Sequence, residues 1–144
     1  MFGWKKKAPA TTPIKTEDDA PPGEAEKVMQ VKQLCWIAGM SAPYGNPASD
    51  EYETFAAAPD QQDYERDRYN KFRAKALRVA DTLTDEFFRS GAINFIIDAS
   101  MKAGDEDDAR ALLKQVKVDF IREKIVASYP RLNREPLDSV VRQR

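Results

Sequence analysis

Residues 60–90 read DQQDYERDRYNKFRAKALRVADTLTDEFFRS, and their spacing decides the fold. Tyr69, Phe72, Ala76, Val79, Leu83 and Phe87 recur at alternating three- and four-residue steps, the seam of a helix packed nearly parallel to its neighbours. Asp60, after Pro59, suits an N-cap, and Asp63 falls in the first turn, where exposed backbone N–H groups favour negative charge. The pattern predicts one long helix from about Gln61 to Ser90, closed by Gly91. Its weak point is Asp81 to Thr84, because Thr82 and Thr84 are poor interior residues and Thr84 is able to cap a new helix.

Toward the C-terminus, Ala92 to Lys102 is apolar nearly all round, with Ile93, Phe95, Ile96, Ile97 and Met101. That predicts a buried central helix, too short to cross a membrane, ended by Gly104. A fourth helix is expected from Asp105 to about Tyr129, before Pro130. Its core face is Leu112, Leu113, Val116, Phe120, Ile121 and Ile125. Pro136 suits the first position of one further turn.

Toward the N-terminus, Val28, Val31, Leu34, Cys35 and Ala38 share one face, so a helix is expected from Glu24 to Ala38, with Gly39 as a left-handed cap. Trp36 and Ile37 widen its apolar side. Ser41, Pro43, Gly45, Asn46 and Pro47 then make a loop. Asp50 and Glu53 have capping-box spacing for a short helix from Asp50 to Ala58, stopped by Pro59.

The expected fold class is all-α: a small bundle of about four main helices with an extended N-terminal arm and a short C-terminal tail. Residues 1–22, with four prolines and no periodicity, read as a flexible, partner-docking arm. Residues 23–130 read as the bundle. Residues 131–144 read as a basic tail carrying Arg131, Arg134, Arg142 and Arg144.

Composition narrows the chemistry. The 144 residues are 42% hydrophobic and 33% charged, which suits a globular chain with a solvated surface. A formal charge of −1 leaves no global field, so any electrostatic recognition has to come from local patches. One cysteine, Cys35, cannot form an intramolecular disulfide, which fits a reducing compartment. The absence of histidine removes Ser-His-Asp and Cys-His nucleophile activation and most zinc and copper sites. The start Met-Phe-Gly-Trp-Lys-Lys-Lys has no apolar run of a signal peptide. The expected location is the cytoplasm, or the virion if the chain is of phage origin.

Each candidate site has a competing structural reading. The run Asp105, Glu106, Asp107, Asp108 offers carboxylates to a hard cation, but it sits at a helix start and lacks the alternating acids and glycine of a calcium loop. Capping is the preferred reading. Cys35, between Leu34 and Trp36, reads as a buried small hydrophobe. No acid pair among the 24 acidic residues stands out for general acid–base work. The expectations are no catalytic residues, no metal and no cofactor.

From Arg66 to Arg78 there are six basic residues, Arg66, Arg68, Lys71, Arg73, Lys75 and Arg78, against the single acid Asp67. Lys71, Lys75 and Arg78 share a helix face, and Tyr64 and Tyr69 lie among the charges. Such a stripe suits phosphates. The competing reading is a solvated face whose charges meet acids such as Asp60, Asp63 and Glu65, and the near-neutral total charge favours it.

Phe2 and Trp4 with Lys5, Lys6 and Lys7 suit either a weak membrane-surface anchor or a linear motif that fills pockets on another protein. The motif is preferred. The expected function is that of a non-enzymatic structural or adaptor subunit of a larger protein assembly, docking through this arm and possible as a homo-oligomer. A bacterial or phage virion connector or decoration component is one form of such a subunit. The alternative is a nucleic-acid-binding accessory protein, a DNA-packaging or regulatory factor, using the basic face of the long helix.

Overall fold

The computed structural model describes residues 23–50, 52 and 59–134, and every regular element among them is helical. In chain order these are α1 (Glu24–Ser41), a 3-10 turn (Ala42–Gly45), α2 (Pro59–Asp81), α3 (Glu86–Lys102), α4 (Glu106–Leu113), α5 (Asp119–Ser128) and a second 3-10 turn (Pro130–Asn133). The expected all-α bundle is the observed architecture. None of the described helices is long and apolar enough to cross a membrane. The arm over residues 1–22 lies outside the described residues, as do Glu53 and Pro136. Asp50 and Tyr52 are helical, and the rest of the helix expected there also lies outside them.

The first correction concerns the end of α1. Gly39 does not cap it, because the helix runs on to Ser41. Ser41 and Ala42 continue the buried stripe of Val31, Cys35 and Ala38. Their burial, with Arg68 of α2 donating to Ser41 Oγ, stabilises the longer helix, and Pro43 stands where a new turn begins. At its other end the Gly23 N–H donates to Glu26 Oε1 at 3.0 Å, one half of a capping box.

The long helix divides at its expected weak point, Asp81 to Thr84, so the second correction concerns its extent to Ser90 and the residue that caps the new helix. The first part, α2, ends at Asp81, where Thr82 Oγ1 donates to the Val79 carbonyl, and the chain re-enters a helix at Glu86. Asp85, not Thr84, is the cap. Its carboxylate accepts the N–H groups of Phe87 at 2.8 Å and Phe88 at 3.1 Å. Glu24 of α1 accepts the N–H groups of Thr84 and Asp85 at 3.0 and 2.9 Å. The break therefore leaves no orphan donor at these four positions. Gly91 closes nothing. It lies inside α3, which packs against α1, α2, α4 and α5 and carries the fully buried Ile96 and Ile97.

Gly104 ends α3 as expected, with φ +79, the only positive φ among the described residues. The Asp105 N–H reaches the Ser100 carbonyl at 2.9 Å and the Gly104 N–H that of Met101 at 3.1 Å, a Schellman arrangement.

The third correction divides the expected fourth helix at Lys114 to Val118. There the Lys117 N–H donates to Ser90 Oγ at 3.2 Å, and Arg122 Nη2 donates to the Val116 carbonyl at 2.7 Å. Val116 is fully buried and Val118 is extended. Burial of Val116 in the core and the Ser90 bond to the Lys117 N–H outweigh helix continuity. Packing also continues into the stretch expected to begin the tail: Leu132 is buried, and Arg131 Nε lies 3.5 Å from Glu106 Oε1.

A candidate docking face

Both helix breaks shift the phase of the apolar pattern. A continuous long helix puts Phe87 on the core seam, and a continuous fourth helix does the same for Phe120. In the structure Phe87 is 52% exposed and Phe120 62% exposed, and their ring centroids lie 6.2 Å apart. Phe87 also meets Phe88 edge-on at 5.6 Å. Trp36, on the wide apolar side of α1, is 68% exposed, and Met29 and Met40 on the same helix are exposed too.

These side chains border two adjoining clefts. One, of about 420 Å³, is lined by Val28, Met29, Phe87, Phe95, Phe120 and Lys124, with Gly91 and Ile121 among its other walls. The other, of about 300 Å³, is lined by Met29, Lys32, Trp36, Phe95, Asp98 and Lys102. Met29 and Phe95 belong to both, so the two form one groove along α1 and α3, closed at one end by α5. Lys32 Nζ lies 5.8 Å from the centre of the Phe95 ring, and Tyr129 Oη donates to Asp98 Oδ1 at 2.9 Å. Burial, helped by that bond and the Asp98 charge, pushes the Tyr129 phenol up to about 12. Clusters of exposed aromatic and methionine side chains around a concavity are the usual form of a protein-binding surface.

The basic stretch of α2 divides into two sets. Arg73 is structural: only 16% exposed, it donates from Nε to Ser100 Oγ of α3 at 3.0 Å and pairs with Asp108 of α4 at 3.7 Å. Arg66 pairs with Asp63 at 3.2 Å, and Arg68 donates to Ser41 Oγ at 3.3 Å. Of the acids expected to meet this face, Asp63 does so, Glu65 is buried, and Asp60 forms no ion pair among the described residues. Lys71, Lys75 and Arg68 cluster over the Phe72 ring at 5.7, 5.2 and 6.0 Å. Lys71, Lys75 and Arg78 have no carboxylate within 4.0 Å among the described residues.

The acidic run is taken up by protein partners. Asp105 Oδ2 accepts from Tyr69 Oη at 3.0 Å and makes no side-chain cap. Glu106 and Asp107 pair with Arg110 at 3.5 and 3.1 Å, and Asp108 meets Arg73. Glu106, Asp107 and Asp108 do occupy the first turn of α4. No group of three potential metal ligands occurs among the described residues. Cys35 is buried on α1 at the wall of the cleft beside Trp36, and burial pushes its thiol up to about 12, with Arg73 opposing and Asp98 adding to the shift. It remains a neutral thiol near pH 7.

The sequence-predicted partner residues Phe2, Trp4, Lys5, Lys6 and Lys7 lie outside the described residues. The groove was not legible beforehand, since Phe87 and Phe120 read as core. The available signals were Trp36, one apolar residue too many for the α1 stripe, and the Phe87–Phe88 doublet. Comparison with protein-family models, with curated proteins and with solved structures finds no match.

Proposed function

We propose that this chain is a non-catalytic structural or adaptor subunit of a larger protein assembly, and that a partner docks in the groove between α1, α3 and α5. The supporting observation is the groove itself: Trp36, Met29, Phe87 and Phe120 are exposed around two joined apolar clefts. Holding large apolar side chains in water is unfavourable by about 25 cal/mol per Å², and a partner that covers them recovers that free energy. Docking of the arm through Phe2, Trp4 and Lys5–Lys7 on a neighbouring subunit belongs to the same reading and rests on the sequence alone. A virion connector or decoration component is one form of this function, by analogy of architecture.

The test is the native mass of the tagged protein in lysates of the cells that make it. The wild type is expected in a species well above 16.3 kDa. Trp36→Glu/Phe120→Glu is expected as the free chain with unchanged helicity. A double variant that stays in the large species contradicts docking through the groove.

A second reading, nucleic-acid binding along α2, is supported by Lys71, Lys75 and Arg78, which have no carboxylate partner among the described residues. Arg66, Arg68 and Arg73 contribute less to it, since each has a protein partner. Salt-dependent retardation of duplex DNA, abolished in Lys71→Glu/Lys75→Glu/Arg78→Glu, supports this reading, and no retardation at low salt removes it.

A further inference from the structure

The chemistry of the partner follows from the charges around the groove, and this inference rests on the docking reading above. Lys32 and Lys102 line the cleft beside Trp36, and Lys124 lines the cleft beside Phe120; all three are exposed. Among the described residues Asp98 is the one acid lining either cleft, and it already accepts the Tyr129 hydroxyl. The groove is therefore apolar at its floor and cationic at its rim.

We propose that its occupant is an amphipathic helix of a partner protein, apolar on one face and acidic along the flank that meets Lys32 and Lys102. The dimensions fit. From Ala25 to Trp36, both on the groove wall, α1 rises about 16 Å, the length of roughly three helical turns. Apolar side chains about seven residues apart on such a helix reach the two clefts in turn. Carboxylates at the Trp36 end meet two lysines, while the Phe120 end is recognised mainly by apolar contact.

Charge argues against the other occupants. A second copy of this face set parallel to the first would bring Lys32 and Lys102 against their own counterparts. The Phe2–Trp4 motif carries Lys5, Lys6 and Lys7, which repel the same rim, so that motif suits a different surface. An anionic bilayer would meet exposed Glu86, Asp119 and Glu123, which neighbour Phe87, Phe120 and Lys124 in the chain.

The test uses two synthetic helical peptides of about fourteen residues. They share the same leucine and phenylalanine face and carry either glutamates or lysines on the flank. Binding is read from Trp36 emission in full-length Trp4→Phe protein, with phosphatidylserine-containing vesicles as a third probe. The glutamate peptide is expected to bind about tenfold more tightly than the lysine peptide, with a blue shift of Trp36. Lys32→Glu/Lys102→Glu is expected to reverse that order while keeping the wild-type helicity, with Tm lowered by only a few degrees through the reversed charge in the last turn of α3. Equal affinity for both peptides, tighter binding of the lysine peptide, or binding to vesicles alone overturns the inference. Failure of both peptides also overturns it and leaves the docking reading to be judged by the native mass of the groove variant.

Discussion

Replacing Asp85 with alanine tests the mechanism that exposes Phe87. The Asp85 carboxylate accepts the N–H groups of both Phe87 and Phe88. Removing an N-cap aspartate costs about 1 kcal/mol. Losing negative charge beside the first turn of α3 adds about 0.5 kcal/mol. Glu24 continues to hold the backbone N–H groups of Thr84 and residue 85, so the turn persists and the loss stays near 1.5 kcal/mol. For a domain of this size that lowers Tm by about 6 °C. Asp85→Asn keeps an acceptor and loses only the charge, about 0.5 kcal/mol. Thr84→Ala removes a hydroxyl with no capping role and changes stability by less than about 0.5 kcal/mol. Urea unfolding followed by circular dichroism measures all three. A Thr84→Ala loss exceeding that of Asp85→Ala would refute the assignment of the cap and with it the phase of α3.

Other outcomes follow from the same contacts. Gly104→Ala is expected to destabilise by about 1–2 kcal/mol, because φ +79 is strained for a side chain and the added methyl would lie 2.9 Å from Asn46 Oδ1; thermal unfolding checks this. Arg73→Met is expected to cost about 1 kcal/mol through the lost Ser100 bond, with little added by the exposed Asp108 pair, whereas Lys71→Met leaves stability unchanged within about 0.5 kcal/mol. Cys35 should react with a thiol reagent far more slowly in the folded chain than in urea at pH 8. Its pKa is raised from 9.0 to about 12, so the contribution of its neutral form is fully present below pH 9. That stability declines as pH rises from about 9 to 12, where only the unfolded thiol ionises, and the decline is shallower in Cys35→Ala.

The helical class, the centrality of Ile93–Ile97 and the stop at Gly104 were legible because periodicity and glycine chemistry act locally. The two helix breaks were less so. Thr82 and Thr84 marked the first, but the choice of Asp85 as cap depends on Glu24, sixty-one residues away. The second depends on Ser90 taking the Lys117 N–H, a tertiary hydrogen bond with no local signature. Each break turns the following residues about the helix axis, so Phe87 and Phe120, assigned to the core on continuous helices, line the groove instead. The basic stretch was half legible: its charges were plain, but which arginine serves as an internal brace depends on where α3 and α4 pack.

The central claim is that the α1–α3–α5 groove is covered by another protein. The most direct measurement places a photo-reactive amino acid at position 36, at position 120, or at the control position 64, in the cells that make the protein. Tyr64 is as exposed as Phe120 but lies on α2, away from the groove. The account predicts one discrete cross-linked species from positions 36 and 120, containing the same partner, and none from position 64. Cross-links from position 64 alone, or from all three without preference, would contradict it.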